Sequence, residues 1–202
     1  GLDWRGRAGD VMLRTLEARL KSRGGTIRRG IAAHALIMAA DRCTGVEART
    51  IDGEPISFPA RAVAIADGGF QANPDLVRRF ITQKPEQLLQ RNAESGAGAG
   101  LIMAEAVGAK LVGTDRFYGH IQHRRAMQDA ALWPYPVLDS LATGGIVVDK
   151  DARRFCDEGL GGILITNAIA RLTEPLSAVI IFDEAIWEGP GKDWLLPANP
   201  YL

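Results

Sequence analysis

The chain has 202 residues, of which 24 are basic and 24 acidic, and it is 47% hydrophobic. This composition is typical of a globular protein with a substantial core, and the balanced charge gives no indication of a nucleic-acid partner. Two cysteines without CxxC spacing form no disulfide framework, and no apolar run reaches the roughly 18 residues of a membrane helix, so we expect a cytoplasmic protein without a spanning segment.

The first part of the chain predicts a helix followed by a small antiparallel sheet. Apolar residues recur at helical spacing from Asp10 to Lys21, and two glycines follow them. Short strands are predicted at Thr26–Arg28, Ala35–Met38, Val46–Thr50 and Ile56–Phe58, with an Asp-Gly turn between the last two. The five consecutive apolar residues Ala62–Ala66 then predict a strand covered on both faces, as in a parallel sheet.

Two glycine-containing bends each precede a predicted helix. In the first, Gly68-Gly69 is followed by Asn73 as a helix cap and by Pro74 in the first helical position. In the second, the stretch ESGAGAG opens a helix that ends at Gly108. Glycine lets main chain approach a ligand, and a helix start favours an anion, so each bend is either an ordinary tight turn or part of a ligand site.

The character of the chain changes near Thr114, where aromatic, histidine and arginine residues become frequent. Beyond it we predict strands at Gly144–Val148 and Leu176–Phe182, with Asp183 capping a further helix. The sequence therefore predicts an α/β plus α+β fold with one domain over residues 1–114 and a second over residues 115–202. The three histidines are scattered without the spacing of a metal site, so we expect no metal.

The order of these motifs resembles the flavoprotein subunit family of fumarate reductases and succinate dehydrogenases, with the related tricarballylate and 3-ketosteroid dehydrogenases. Four stretches carry the resemblance: Ala66–Asn73 is similar to A-T-G-G-F-x-x-N, Ala97–Gly100 with Val107–Val112 to T-G-D-G and A-G-A-x-L-V, Tyr118–His120 to the family's histidine after the next strand, and Gly144–Glu158 to G-A-I-V-V-N-x-x-G-x-R-F-x-N-E.

The resemblance implies part of a Rossmann-like FAD domain over residues 1–114, followed by part of a substrate-capping domain over residues 115–202. It implies FAD as cofactor and hydride transfer between a substrate carbon and flavin N5, with a carboxylic acid or an enone-type compound as the small-molecule substrate. It also implies that further FAD-domain elements precede residue 1 and follow residue 202. We therefore expect these residues alone to be an inactive fragment that holds little FAD.

The resemblance also implies site residues. The expected cofactor contacts are Ala33, Asp67, Gly68, Gly69, Gly98 and Gly100. His120 is expected to contact and polarise the substrate. Tyr118 is the second substrate-binding candidate, and it is either a hydrogen-bond donor beside the flavin or a packed aromatic residue. Arg154 and Glu158 are expected to form a structural ion pair. The sequence identifies no catalytic acid or base, electron-transfer partner or oligomeric state.

Three positions depart from the family pattern. Asp67 stands where the family has threonine, and because a carboxylate repels a pyrophosphate, Asp67 should point away, bond a ribose hydroxyl, or lie where no FAD binds. Ala99 stands where the family has aspartate. Glycines at Gly161-Gly162 stand where fumarate reductases place an arginine proton donor, which favours a substrate other than fumarate. The alternative function is a non-catalytic fold or binding module that holds no flavin.

Overall fold

The computed structural model describes residues 8–90, 95–134 and 136–191. Helices and strands are mixed along the chain, as the sequence predicts. The chain divides into two compact units, the first ending at Ala64 and the second beginning at Ile65. The division into flavin and capping domains near residue 114 stays a prediction.

The first unit contains one helix and a three-stranded antiparallel sheet. Helix α1 spans Ala8–Ser22, and strands β1 (Ile31–Ala39), β2 (Arg42–Thr50) and β3 (Pro55–Pro59) pair in the order β1-β2-β3. The predicted helix, the Asp-Gly turn and the three strands around it are confirmed. The predicted strand at Thr26–Arg28 is wrong, because no described strand pairs with this segment.

The second unit begins with an irregular segment and two short helices. Ala62–Phe70 forms no strand, and Ile65 is 41% exposed, so the prediction of a buried strand at Ala62–Ala66 is wrong. Apolar character alone does not make a strand; the main chain needs a hydrogen-bonding partner, and no described strand supplies one here. Helices α2 (Pro74–Phe80) and α3 (Ala99–Ala106) follow.

The predicted cap of α2 is confirmed. The Asn73 side-chain oxygen accepts hydrogen bonds from the main-chain N–H groups of Asp75 and Leu76, both at 3.1 Å. These are two of the N–H groups that an uncapped helix start leaves without a partner. The cap fixes where the chain turns from the first glycine bend into α2.

The rest of the second unit is built from short elements. They are α4 (Asp139–Gly144), β4 (Ile146–Val148), α5 (Gly162–Ala170), β5 (Val179–Ile181) and α6 (Glu184–Ile186), and β4 pairs antiparallel with β5. The predicted strands at Gly144–Val148 and Leu176–Phe182 are confirmed only over β4 and β5. Gly144 is the last residue of α4, and Pro175–Ser177 form a short turn before β5. Asp183 caps α6 as predicted.

A small core joins these elements. Its fully or almost fully buried members are Ile121, Ala142, Val147 and Ile165. Around them pack Leu138, Phe155, Cys156, Ile169 and Ile180. The core therefore ties the segment before residue 122 to α4, β4 and α5, which are the elements that carry the candidate site.

The carboxylate of Glu158 is hydrogen-bonded to the core strand β4. Its Oε1 accepts a hydrogen bond from the Val147 main-chain N–H at 2.7 Å, and its Oε2 accepts one from Arg154 Nη2 at 2.6 Å. These contacts, the Arg154 bond first, lower the pKa of Glu158 to about 2, although the residue is only 4% exposed. The predicted structural ion pair is confirmed.

Replacing Glu158 tests this anchor. We expect Glu158→Gln to lower the free energy of unfolding by about 2 kcal/mol near neutral pH, because a charge-assisted pair becomes a neutral one. The folded-state pKa lies below the usual value, so the stabilisation is present above about pH 4.5 and is lost as the pH falls towards about 2. Urea denaturation of the wild type and the variant at several pH values measures this difference.

The matched control is Glu54→Gln, which changes an exposed carboxylate in the first unit. It should leave stability within about 0.5 kcal/mol of the wild type. A Glu158→Gln deficit that stayed constant down to about pH 2 would contradict the assignment of the effect to ionised Glu158.

Asn167 attaches the segment before Tyr118 to α5. Its Oδ1 accepts a hydrogen bond from the Phe117 N–H at 3.0 Å, and its Nδ2 donates to the carbonyl oxygens of Phe117 and Ile163, both at 2.8 Å. The Arg171 guanidinium also donates to the Asp115 carbonyl oxygen. Because Asn167 is 4% exposed, its amide satisfies main-chain groups that water does not reach freely.

Removing the amide should loosen this segment. We expect Asn167→Ala to cost about 1–3 kcal/mol, since it leaves both Phe117 main-chain groups without their partner. Hydrogen exchange of residues 115–121 should accelerate, as mass spectrometry of peptic peptides can measure. Thr166→Val is the control, because Thr166 bonds only within its own helix at Gly162; equal acceleration in both variants would show general loosening of α5 instead.

Candidate functional site

Two antiparallel segments bring distant polar residues together in the second unit. Gln122 lies opposite Val137, and the Leu138 N–H donates to the Ile121 carbonyl oxygen at 2.8 Å. This pairing places His120 beside Asp139, the first residue of α4, although the two are 19 positions apart in the sequence.

Tyr118, His120 and Asp139 form a hydrogen-bonded line, called here the histidine cluster. His120 Nδ1 lies 2.6 Å from Asp139 Oδ2, and His120 Nε2 lies 3.1 Å from the Tyr118 hydroxyl. Asp139 Oδ1 accepts a further hydrogen bond from the Ile121 N–H at 2.8 Å. The His120 and Asp139 side chains are 26% and 21% exposed, whereas Tyr118 is 77% exposed.

This order of groups fixes which atom faces solvent. An ionised carboxylate only accepts hydrogen bonds, so Nδ1 of His120 carries the proton in the bond to Asp139. The neutral ring then offers Nε2 as acceptor to the Tyr118 hydroxyl. Both ring nitrogens are engaged, and the exposed end of the line is the phenol oxygen. In this arrangement Tyr118 can exchange a proton, His120 can act as its base, and the Asp139 carboxylate orients His120.

The start of α5 packs against the carboxylate of this cluster. A Cβ atom built at Gly162 would overlap the Asp139 side chain. The packing therefore requires glycine at position 162. This is one of the two glycines that stand where the resemblance expects an arginine. The sequence analysis missed Asp139, and the available signal was weak: an acidic residue directly after the apolar pair Val137-Leu138.

The two glycine bends contact one another in the second unit. Ala72 N–H donates to the Gly96 carbonyl oxygen at 2.9 Å, and Asn73 Nδ2 donates to the Ala97 carbonyl oxygen at 3.1 Å. Asp67 Oδ2 accepts a hydrogen bond from the Gly100 N–H at 2.7 Å, so Asp67 caps the start of α3. The carboxylate is thus directed at α3.

The glycines of these bends differ in what surrounds them. Side chains of the first bend and α2 occupy the space beside Gly98 and Gly100, which gives both glycines a local packing reason. A Cβ at Gly69 would lie 2.7 Å from Gln71 Oε1. Gly68 has φ +93° and nothing within 4 Å of the Cβ position, so bare main chain faces open space there. Gly68 is the position that best fits close approach of a cofactor.

The remaining predicted site residues lie apart from these groups. Ala33 is exposed on β1 opposite Ala48, in the first unit. His123 Nδ1 accepts a hydrogen bond from the Arg125 N–H and so caps a short turn, and the arginines nearby are exposed. Within residues 8–90, 95–134 and 136–191, no group of His, Cys, Asp and Glu side chains could hold a metal ion. None of the described helices has the length and apolar character to cross a membrane.

Comparisons with known proteins identify the family. The family model described as FAD binding domain matches residues 4–188. Urocanate reductase of Eggerthella lenta is 28% identical over 137 residues, which cover 68% of this chain and 22% of that protein. NADH:fumarate oxidoreductase of Klebsiella pneumoniae is 26% identical over 180 residues, which cover 88% of this chain and 18% of that protein.

A solved structure shares the fold. The 3-ketosteroid-Δ4-(5α)-dehydrogenase from Rhodococcus jostii RHA1, in complex with 4-androstene-3,17-dione, matches with a TM-score of 0.61 and 20% sequence identity, covering 90% of this chain and 35% of that chain. The chain spans about a fifth of the length of the two curated relatives. The resemblance noted in the sequence and the assignment of FAD as cofactor are confirmed, and the chain belongs to the FAD binding domain family.

Proposed function

We propose that this chain is part of a longer FAD-dependent oxidoreductase that moves a hydride between a substrate carbon and flavin N5. Residues 1–114 would contribute to a Rossmann-like FAD domain and residues 115–202 to a substrate-capping domain. Family membership supports the cofactor, and the histidine cluster is the observation that carries the chemistry. When bound, FAD supplies the site that accepts or donates the hydride.

The first glycine bend is the part of the chain best suited to hold the cofactor. Gly68 offers main chain without a side chain, and Gly69 follows it. Asp67, Gly98 and Gly100 join this bend to the start of α3, so the edge presented to the cofactor is bonded in place. Ala33, which lies in the first unit, stays a separate expectation that rests on the resemblance alone. The hydrogen bond from the Gly100 N–H holds the Asp67 carboxylate towards α3.

The histidine cluster is the part best suited to hold the substrate. We propose a carbon–carbon double bond, formed or reduced beside a carboxylate or a ketone, as the reacting group. The Tyr118 hydroxyl would contact the substrate at this reacting group. His120, which the resemblance expects to polarise the substrate directly, would act through Tyr118, because Asp139 holds Nδ1 and Tyr118 lies on Nε2. The related proteins act on, or bind, compounds of both kinds: urocanate and fumarate are unsaturated acids, and 4-androstene-3,17-dione is an enone.

The flavin content of the full-length protein tests this function. We expect the full-length protein to purify yellow with bound FAD and residues 1–202 alone to hold little. Under anaerobic conditions, 4-androstene-3,17-dione should bleach the flavin, or fumarate or urocanate should reoxidise the dithionite-reduced flavin. Absorbance near the flavin band, about 450 nm, follows both reactions.

Two outcomes would overturn the proposal. A colourless full-length protein that takes up no added FAD would favour the non-catalytic alternative, in which Asp67 and Ala99 mark the loss of cofactor binding. Stoichiometric FAD on residues 1–202 alone would show that this chain contains the whole FAD-binding site. It would contradict the proposal that the chain supplies only part of the FAD domain.

A substitution at Gly68 tests the proposed cofactor contact. In the full-length protein we expect Gly68→Ala to lower FAD content by about tenfold or more, because a methyl group would enter the space the cofactor needs. Gly108→Ala is the matched control, since Gly108 has φ +84° and equally open surroundings at the other end of α3. Both variants carry the strain of a positive φ, so equal loss of FAD in the two would assign the effect to the backbone and contradict the contact.

A further inference from the structure

Hydride transfer leaves a companion proton that the protein must give or take. Carbon–carbon dehydrogenation removes a hydride from one carbon and a proton from its neighbour, and reduction adds both. The position at which the resembling fumarate reductases carry an arginine proton donor is glycine here, at Gly161-Gly162. A different group therefore has to handle this proton.

We propose that Tyr118, His120 and Asp139 form the proton relay of this site, with the Tyr118 hydroxyl as the catalytic group that meets the substrate carbon. This assignment rests on the proposed function. His120 is the base behind the phenol, and Asp139 is the positioning residue behind His120. The Tyr118 hydroxyl lies 3.1 Å from His120 Nε2, and His120 Nδ1 lies 2.6 Å from Asp139 Oδ2.

Exposure decides the direction of the relay. Tyr118 is 77% exposed, so it is not a packed aromatic residue, whereas the His120 and Asp139 side chains are 26% and 21% exposed. The phenol is therefore the most accessible of the three groups. His120 cannot take the outer position in this arrangement, because Asp139 holds Nδ1 and Tyr118 lies on Nε2. The Tyr118 ring meets the His120 ring edge-on, with centroids 5.1 Å apart.

The proton movements balance. In the oxidative direction the substrate C–H bond breaks and its electron pair becomes part of the new double bond, while a bound flavin would accept the hydride that leaves the adjacent carbon. The substrate proton bonds to the Tyr118 oxygen while the former hydroxyl proton moves to Nε2. His120 becomes an imidazolium paired with the Asp139 carboxylate, and the substrate is oxidised as the flavin is reduced. Reduction of a double bond runs through the same groups in reverse.

The surroundings leave Asp139 as the main charged partner of His120. Asp139 faces the ring from α4, and Tyr118 faces it from the same segment as His120 itself. α5 contributes Gly162 at this point, which carries no side chain. Asp139 is also fixed by the Ile121 N–H, so its second oxygen stays directed at Nδ1. Such a carboxylate favours the imidazolium that the relay forms.

The backbone of the relay is supported from two sides. Asn167 bonds both main-chain groups of Phe117, directly before Tyr118. Asp139 bonds the N–H of Ile121, directly after His120. The two side chains of the relay therefore project from a short segment whose two ends are both fixed, which is what proton transfer over short distances requires.

The test uses the full-length protein with FAD and the compound among 4-androstene-3,17-dione, fumarate and urocanate that turns over. We expect Tyr118→Phe, which deletes one oxygen from an exposed ring, to slow single-turnover flavin reduction or reoxidation by about 10²–10⁴-fold. FAD content and the dissociation constant of the compound should change by less than about threefold. His123→Asn is the control, because His123 caps its own turn outside the cluster.

Asp139→Asn provides a second readout that a merely structural role would not give. The asparagine oxygen still accepts from the Ile121 N–H, but the charge behind His120 is lost. The imidazolium that the relay forms then lacks its partner, so the single-turnover rate should fall by about tenfold or more, while FAD content and the dissociation constant of the compound stay within about threefold of the wild type.

Deuterium exchange separates proton transfer from hydride transfer. In D2O the wild type should replace the hydrogen that leaves the compound as a proton with deuterium, and Tyr118→Phe should lose this exchange. If Tyr118→Phe keeps the wild-type rate and exchange while the wild type turns over, the relay is overturned and the proposed function stands. If none of the three compounds reacts with the flavin of the wild type, the proposed function is overturned and the relay falls with it.

Discussion

The carboxylate of Asp139 is the interaction on which the candidate site depends. One oxygen accepts the Ile121 N–H and the other meets His120 Nδ1, so a single side chain sets both the main chain and the ring. Ile121 is buried in the same small core as Ala142 of α4 and Ile165 of α5. The orientation of the His120 ring is therefore coupled to the packing of this core.

A second carboxylate organises the glycine bends. In the motif that the sequence resembles, the acidic residue lies in the turn that opens the helix, where this chain has Ala99. Here Asp67 of the facing bend reaches the Gly100 N–H at 2.7 Å and caps the same helix from outside. The departures at Asp67 and Ala99 are thus linked by one contact, because the first bend supplies the carboxylate that the helix turn lacks.

The local elements of the fold followed from the sequence because their signals are local. Helical spacing defined α1, the Asp-Gly turn defined the hairpin of β2 and β3, and Asn73 and Asp183 act as the caps that their positions predicted. The predicted strand at Ala62–Ala66 failed because five apolar residues do not reveal whether a partner strand is present.

The helices α4 and α5 were missed for a different reason. α5 opens on glycine and is rich in β-branched residues, which individually favour strands, and packing of Ile165 in the core overrides that preference. In the site, motif order pointed to Tyr118 and His120. Asp139 could not be found that way, since its role arises from the pairing of segments 121–122 and 137–138, which brings together residues 19 positions apart.

The most direct measurement is a crystal structure of the full-length protein with FAD and an unreactive analogue of its substrate. The account predicts that the Tyr118 oxygen lies within about 3.5 Å of the carbon that exchanges its proton, with His120 still between Tyr118 and Asp139. An analogue bound against the flavin with Tyr118 turned away from it, and another acid or base at that carbon, would contradict the account.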